Sequence, residues 1–494
     1  MYKNVDRSRR KRSNFLRSFY DHVVFTFSIA TMHGLIHVVR SRRHIFERQV
    51  MDCLLRIFHF NQFVFRDRLL WMGLVVGAFG IATQQALEAW RRYETSPVVI
   101  TIEKDFFNWD VENPSILICL RDKPASSYKI MEDFIKEYKI TAEIKELDEY
   151  VNDLLFKTYY TYSSLEKYAN GSKKELVSPD LYVELITRVS GKLETKQQKV
   201  KGTLWPKNVD SNYTRILTEF GLCHSFHSKL AYYFEITNFT REVPQTESDY
   251  QSITKNYKDE VLTFLQPQVF VKYLVFVTDS HEMIDITSHY HTGEQTTTAL
   301  LAFNVIDIIS DEAIRDLSPK QRNCKFNDDP HDLKHSPVYT YNLCRIECRI
   351  NLALKYCNCT PHYYKRNAGE QICNMAGMYC LSKHPEVVSL VDPKTEKSLC
   401  HCLQNCNLQA VTTEVVSSGG WFLTTRLSVE FQSFPKERYR RTLIFTKTDI
   451  LIQIGGIYGL FLGCSVLSFI EISYFFTLRF IWGVLGNRRI KAEI

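Results

Sequence analysis

The stretch that most constrains this chain runs from Asp449 to Gly483, DILIQIGGIYGLFLGCSVLSFIEISYFFTLRFIWG. From Ile450 to Ile470 no side chain is charged. As one helix those residues would be about 31 Å long, roughly the hydrocarbon thickness of a bilayer. Glu471 then interrupts the run, and seven uncharged residues follow it. An ionisable group at that depth is costly against lipid and has to face protein or water. Gly455, Gly459 and Gly463 fall four apart, with Gly456 beside them. In a continuous helix they share one sector and let another backbone approach closely. Ser465, Ser468 and Glu471 fall three apart and give the helix a polar side. A simple anchor needs neither feature. The pattern predicts a helix that packs against copies of itself and lines a polar path.

The rest of the chain supplies the topology. Hydrophobic residues make up 45% of the 494 positions, too few for a chain embedded throughout. Residues 69–87 are the other apolar stretch, LLWMGLVVGAFGIATQQAL, read as a first span over 69–89 with Trp71 and Trp90 near its ends. Aromatic rings favour the membrane interface. Residues 1–68 hold fourteen Lys/Arg against five Asp/Glu, and Arg479, Arg488, Arg489 and Lys491 follow the second stretch. That excess places both termini in the cytosol. The basic start reads as a topology signal beside a membrane, with no nucleic-acid partner expected. Residues 90–449 then lie outside, 450–481 form the second span, and 482–494 a cytosolic tail. Val23–Ile36, broken by His33 and Gly34, is too short to span and reads as a cytosolic amphipathic or re-entrant segment.

The outside region holds twelve of the fourteen cysteines: Cys119, Cys223, Cys324, Cys344, Cys348, Cys357, Cys359, Cys373, Cys380, Cys400, Cys402 and Cys406. An even number crowded into one oxidising compartment argues for disulfides whose pairing spacing does not reveal. Strands are expected in 97–119, 269–278, 296–309 and 427–434, and helices in 130–170 and 342–356. Cys344 and Cys348, one turn apart on the last helix, are placed to pin it to other elements. Glycosylation sequons stand at Asn170, Asn212 and Asn238, and a fourth at Asn358 sits between two cysteines. The fold class is therefore a membrane protein with a large α+β, disulfide-rich extracellular domain between two spans.

No GxSxG, HExxH, Walker or dinucleotide fingerprint occurs, so no enzyme, cofactor or metal centre is expected. The Cys-x-Cys pairs at 357/359 and 400/402, near His362 and His401, suggest zinc only if reduced, and disulfides compete for the same thiols. The His-rich run His281–His291 reads as a solvated loop, with a weak divalent-ion or proton-sensitive spot as the alternative. Two helices cannot enclose a water-filled path, but a ring of identical or related chains can. Glu471, once per subunit, then forms an acidic ring that favours cations.

At this point the chain resembles the degenerin and epithelial sodium channel superfamily, and its insect pickpocket branch in particular, over about residues 20–483. Gly455–Phe475, GGIYGLFLGCSVLSFIEISYF, is similar to the family pattern GGxxGLFxGxSxLSxxExxYF. Thr218-Glu219-Phe220-Gly221-x-Cys223, Arg322-x-Cys324-x-Phe326, Cys357-x-Cys359-x-Pro361 and Cys400-x-Cys402-x-x-x-Cys406 follow in the family's order. The resemblance implies a trimer of identical or related subunits that is sodium-permeable, voltage-insensitive and blocked by amiloride, in the plasma membrane. It implies sodium as permeant ion, Gly463, Cys464 and Ser465 as selectivity filter, and Ser468 and Glu471 toward the inner mouth. His33 and Gly34 would influence gating, with Asp449 near the position where bulky residues hold such channels open. Gln404 stands where the family commonly has proline, the residues before Gly221 are altered, and extra residues separate Gly34 from Leu69. The alternatives are a non-conducting subunit that needs family partners and, more distantly, a membrane-anchored ectoenzyme or adhesion protein. The extracellular activator is not named by the sequence.

Overall fold

The computed structural model describes residues 60–191, 193–195, 213–236, 254–257, 267–269, 271–294, 296–384, 399–420, 425–463, 465, 467, 470, 473–474 and 477. The chain forms two units, Met1–Val98 with Leu443–Ile494, and Val99–Thr442. In the first, helix α1 spans Phe60–Thr95. Within it Leu69–Thr95 is the one segment among the described residues long and apolar enough to cross a membrane. The helix continues past residue 89, where the apolar stretch gives way to Trp90, Arg91 and Arg92.

The second unit is built on two main sheets. The larger is ordered β1 (Val98–Glu103), β14 (Arg438–Leu443), β11 (Thr297–Ser310), β13 (Thr425–Phe431), β8 (Pro267–Val269) and β4 (Glu194–Thr195). Strand β12 (Leu408–Gly420) runs antiparallel along the other edge of β11. The smaller is ordered β10 (His291–Gly293), β9 (Tyr273–Thr278), β3 (Ser115–Leu120), β6 (Gly221–Phe226) and β5 (Thr214–Thr218). A separate ribbon pairs β2 (Asp110–Glu112) with β7 (Thr254–Asn256).

Side chains alternate along a strand, and the cores follow that period. Ile116 and Ile118, Val275 and Val277, Phe303 and Val429 belong to one buried layer shared by both sheets. Leu117, Leu274 and Phe276, on the opposite face of β3 and β9, pack with Met283, Ile284 and Leu343. The stretch 269–278 is not one strand. Val269 pairs with Thr425 in the larger sheet, whereas Tyr273–Thr278 pairs with β3 in the smaller. Lys272 sits at the crossing, where a continuous strand would have put a charge inside.

Helices α2 (Ser127–Tyr138), α3 (Ile144–Phe156), α4 (Tyr182–Val189), α5 (Tyr341–Cys357) and α6 (Met375–Ser382) enclose a further core around Phe134, Leu147, Leu185 and Ile350. Helix α5 is stapled by Cys344–Cys402, Cys348–Cys400 and Cys357–Cys380. Cys359–Cys373 follows just beyond it, Cys324–Cys406 lies upstream, and Cys119–Cys223 joins β3 to β6.

Inside this cage Arg349 of α5 is 0% exposed. Its guanidinium donates to Glu219 at 2.8 Å and to Asp285 at 2.9 Å. Glu219 also accepts from the Tyr364 hydroxyl and the Ile286 amide. Burial pushes Asp285 up, but Arg349 and then Arg345 outweigh it and hold its carboxyl below its ordinary value. Glu219 lies in the β5–β6 turn, where Gly221 has φ 94° and a Cβ would meet the Leu155 carbonyl at 2.9 Å. Only glycine fits there. The expectation of a solvated loop at His281–His291 therefore fails for its first half: Glu282–Ile286 is buried because Asp285 answers Arg349 and Met283 and Ile284 fill the core.

Two predictions follow from α5. Replacing Cys344 and Cys348 by serine releases the helix from Cys400 and Cys402, and each native disulfide contributes about 2–5 kcal/mol. Surface labelling should show the double variant retained inside the cell; normal delivery contradicts the structural role. His335, also buried, places Nδ1 2.8 Å from Glu347 and Nε2 3.0 Å from Glu370. Burial pulls its pKa down, but Glu347 and then Glu370 outweigh it and hold it above 6.5. That stability is present in full below the unfolded value and is lost as pH rises through the folded one. Burial pushes Glu347 up, but His335 holds it below 4.5, so its share is lost only in acid. Thermal unfolding should fall on the alkaline side in the parent and less so in His335→Gln; parallel curves refute the clamp.

Candidate functional site

Residues 446–463 are built from a cap, a helix and a stop. Helix α7 spans Lys447–Leu462. The Thr446 hydroxyl accepts from the Asp449 amide at 3.2 Å, and the Asp449 carboxylate accepts from the Thr446 amide at 2.8 Å. This reciprocal pair satisfies two of the helix's orphan donors and sets a negative charge at its positive end. The carboxylate of Asp449 is thus tied to the backbone that enters the helix.

Leu451, Ile452 and Leu460 are each more than 70% exposed on α7. A Cβ added at Gly455 or Gly456 would meet nothing within 4 Å. The helix ends at Leu462, because Gly463 turns left-handed at φ 62° and its amide bonds back to the Gly459 carbonyl at 2.9 Å. Ser465 is exposed and not helical, and helical backbone recurs at Leu467 and Ile470. The apolar run is therefore not one continuous helix. Gly463 leaves the helical sector that holds Gly455 and Gly459, and Ser465 does not begin a helical polar stripe. Hydrogen bonds unmade at such a stop are tolerated at membrane depth only against protein or water. Cys464, Ser468 and Glu471 lie outside the described residues, as do His33 and Gly34.

Within the same unit α1 and α7 touch. The Thr83 and Tyr458 hydroxyls are 3.2 Å apart, and the Phe79 and Tyr458 rings 6.1 Å. Ala82, Ala86, Ala89 and Tyr93 form the buried face of α1, while Gln84 and Gln85 are exposed. That alanine stripe, at helical spacing, was legible in the sequence and passed over there. The Ile444 amide donates to the Pro97 carbonyl at 2.8 Å, joining the strand that follows α1 to the one that precedes α7.

In the second unit the neighbouring strands carry an ion cluster. Glu103 of β1 accepts from Arg438 at 2.8 Å and from Arg440, both on β14. Arg440 also donates to Asp311 at 2.7 Å, and Arg438 lies 4.4 Å over the Trp109 ring. Burial pushes Glu103 up, but Arg440 and Arg438 outweigh it and hold its carboxyl below its ordinary value. Sequence reading missed this cluster. Its signal was the period-two arginine pair of RYRRTL opposite VVITIE.

Of the other singled-out positions, Asn170 is exposed, with its side chain accepting from the Ser172 amide at 3.1 Å. Asn212 and Asn238 lie outside the described residues.

The family model described as the amiloride-sensitive sodium channel matches residues 27–475. Sodium channel protein Nach of Drosophila ananassae is 25% identical over 279 residues, which cover 53% of this chain and 52% of that protein. Pickpocket protein 19 of Drosophila melanogaster is 27% identical over 196 residues, covering 36% of this chain and 38% of that one. Acid-sensing ion channel 1C of Danio rerio is 24% identical over 167 residues, 29% of this chain and 30% of that one. The chain thus spans about half or less of the length of these three relatives.

The Glu103 cluster is half-exposed, so its worth is modest. A double-mutant cycle of Glu103→Gln and Arg440→Gln should give a coupling of about 0.5–1 kcal/mol in unfolding experiments. Strict additivity refutes a shared ion pair.

Proposed function

The chain belongs to the amiloride-sensitive sodium channel family, whose members are ion channels and not enzymes, and on that premise we propose that it is a subunit of a trimeric, voltage-insensitive, sodium-selective channel of the plasma membrane. In this reading α1 is the first span, and the run from Ile450 to residue 481 is the second. The second spans of three identical or related subunits line the pore, and amiloride blocks it. Sodium enters the cell passively.

The observation that carries this reading is the stop of α7 at Gly463. A glycine-made interruption in an apolar run leaves Ser465 exposed and non-helical where lipid tolerates neither. Three copies around an axis convert that interruption into a ring of hydroxyl and backbone oxygen. Such a ring discriminates ions by partly replacing their hydration shell. Gly463, Cys464 and Ser465 form the filter, Glu471 and Ser468 lie toward the inner mouth, and His33-Gly34 takes part in gating. Asp449 caps the pore helix at its outer end. Gly455 and Gly456, open within one chain, accept the neighbouring subunit's backbone.

Whole-cell current tests this. Cells expressing the chain, with surface delivery checked by labelling, should carry an inward current that disappears when a large impermeant cation replaces sodium and when amiloride is added. Gly463→Ala imposes a left-handed backbone on a residue with a Cβ, at roughly 1–2 kcal/mol. That variant, and replacement of Ser465 by a larger side chain, should abolish the current or change its sodium-to-potassium preference at unchanged surface density. Unaltered current and selectivity in both contradicts the filter assignment.

A further inference from the structure

We propose that His289 and His291 form a chelating site for a borderline divalent cation, zinc foremost, on the outer surface of the extracellular domain. The site is separate from the pore reading and does not depend on it.

His291 opens β10, the edge strand of the smaller sheet, and His289 stands two residues before it. Tyr290 between them turns the other way, against Phe220 and Phe276 with ring centres 5.6 Å apart in each case. The two imidazoles meet each other instead. Their ring centres are 5.1 Å apart and their planes lie at 84°. With a zinc–nitrogen bond of about 2.0–2.1 Å and tetrahedral angles, two imidazoles on one ion hold their ring centres about 5 Å apart. The pair already has that spacing.

A second feature points the same way. His291 Nε2 is 2.7 Å from the Thr413 hydroxyl of β12. In the tautomer that donates there, the lone pair is left on Nδ1. A ligating imidazole is commonly fixed by such an oxygen partner on its other nitrogen. His289 is exposed and His291 half-buried, so an ion reaches them from solvent and water completes its coordination. Imidazole ligation without thiolate suits zinc, copper and nickel over calcium or magnesium.

The test uses the full-length chain in detergent micelles, stripped of metal and titrated with zinc in competition with a chromophoric chelator. One zinc per chain is expected at neutral pH. His289→Ala and His291→Ala should each weaken binding by at least tenfold, and Thr413→Val by about tenfold or more. His281→Ala, in the same run of sequence but elsewhere in the fold, should bind as the parent does. His289 is exposed, so its variant folds and decides the case even where His291→Ala does not. Parental affinity in His289→Ala, or an equal loss in His281→Ala, overturns the site.

Discussion

A guanidinium with no water around it has to be neutralised where it sits, and Arg349 sets that condition for the extracellular domain. Its two carboxylate partners come from the β5–β6 turn and from the loop after β9, so one side chain holds a helix, a turn and a loop in fixed register. Such a group adds little net stability over an apolar core, because dehydrating the charges costs nearly what their attraction returns. Removing one partner is another matter, since it strands a charge. The arrangement therefore specifies the junction more than it strengthens it. The disulfides around α5 add strength by narrowing the unfolded ensemble.

The membrane unit obeys a different constraint. In the proposed reading α7 lies in hydrocarbon, which offers no hydrogen bonds, so a helix that stops there has to stop against something polar. Gly463 makes that stop, and the capping pair at Thr446 and Asp449 makes the start. Between them lies an apolar helix whose outward face includes open glycines. In the proposed trimer, assembly around an axis gives the exposed glycines a neighbour and the interruption a wet side.

The apolar runs, the cysteine-rich outer region and most strands were legible because hydropathy and period-two alternation report burial directly. The break at Gly463 was not, since hydropathy carries no information on φ, and the same residues read equally well as one helix. Arg349 was hidden for another reason. A charged residue in a helix reads as surface, and only partners such as Glu219, 130 positions away, reveal otherwise. The strand expected over 269–278 divides between two sheets at Lys272, a charge that hydrophobic counting absorbed. His289 and His291 looked like part of a solvated loop because sequence spacing does not show that Tyr290, between them, packs on Phe220 and Phe276.

The central claim is that residues 463–465 form the narrowest part of a conducting path, and the native Cys464 gives it a direct probe. External cadmium or silver applied to cells carrying the sodium current binds thiols brought together at a constriction. The account predicts block in the parent and its loss in Cys464→Ala. Equal block in both, or none in the parent, would place the constriction elsewhere.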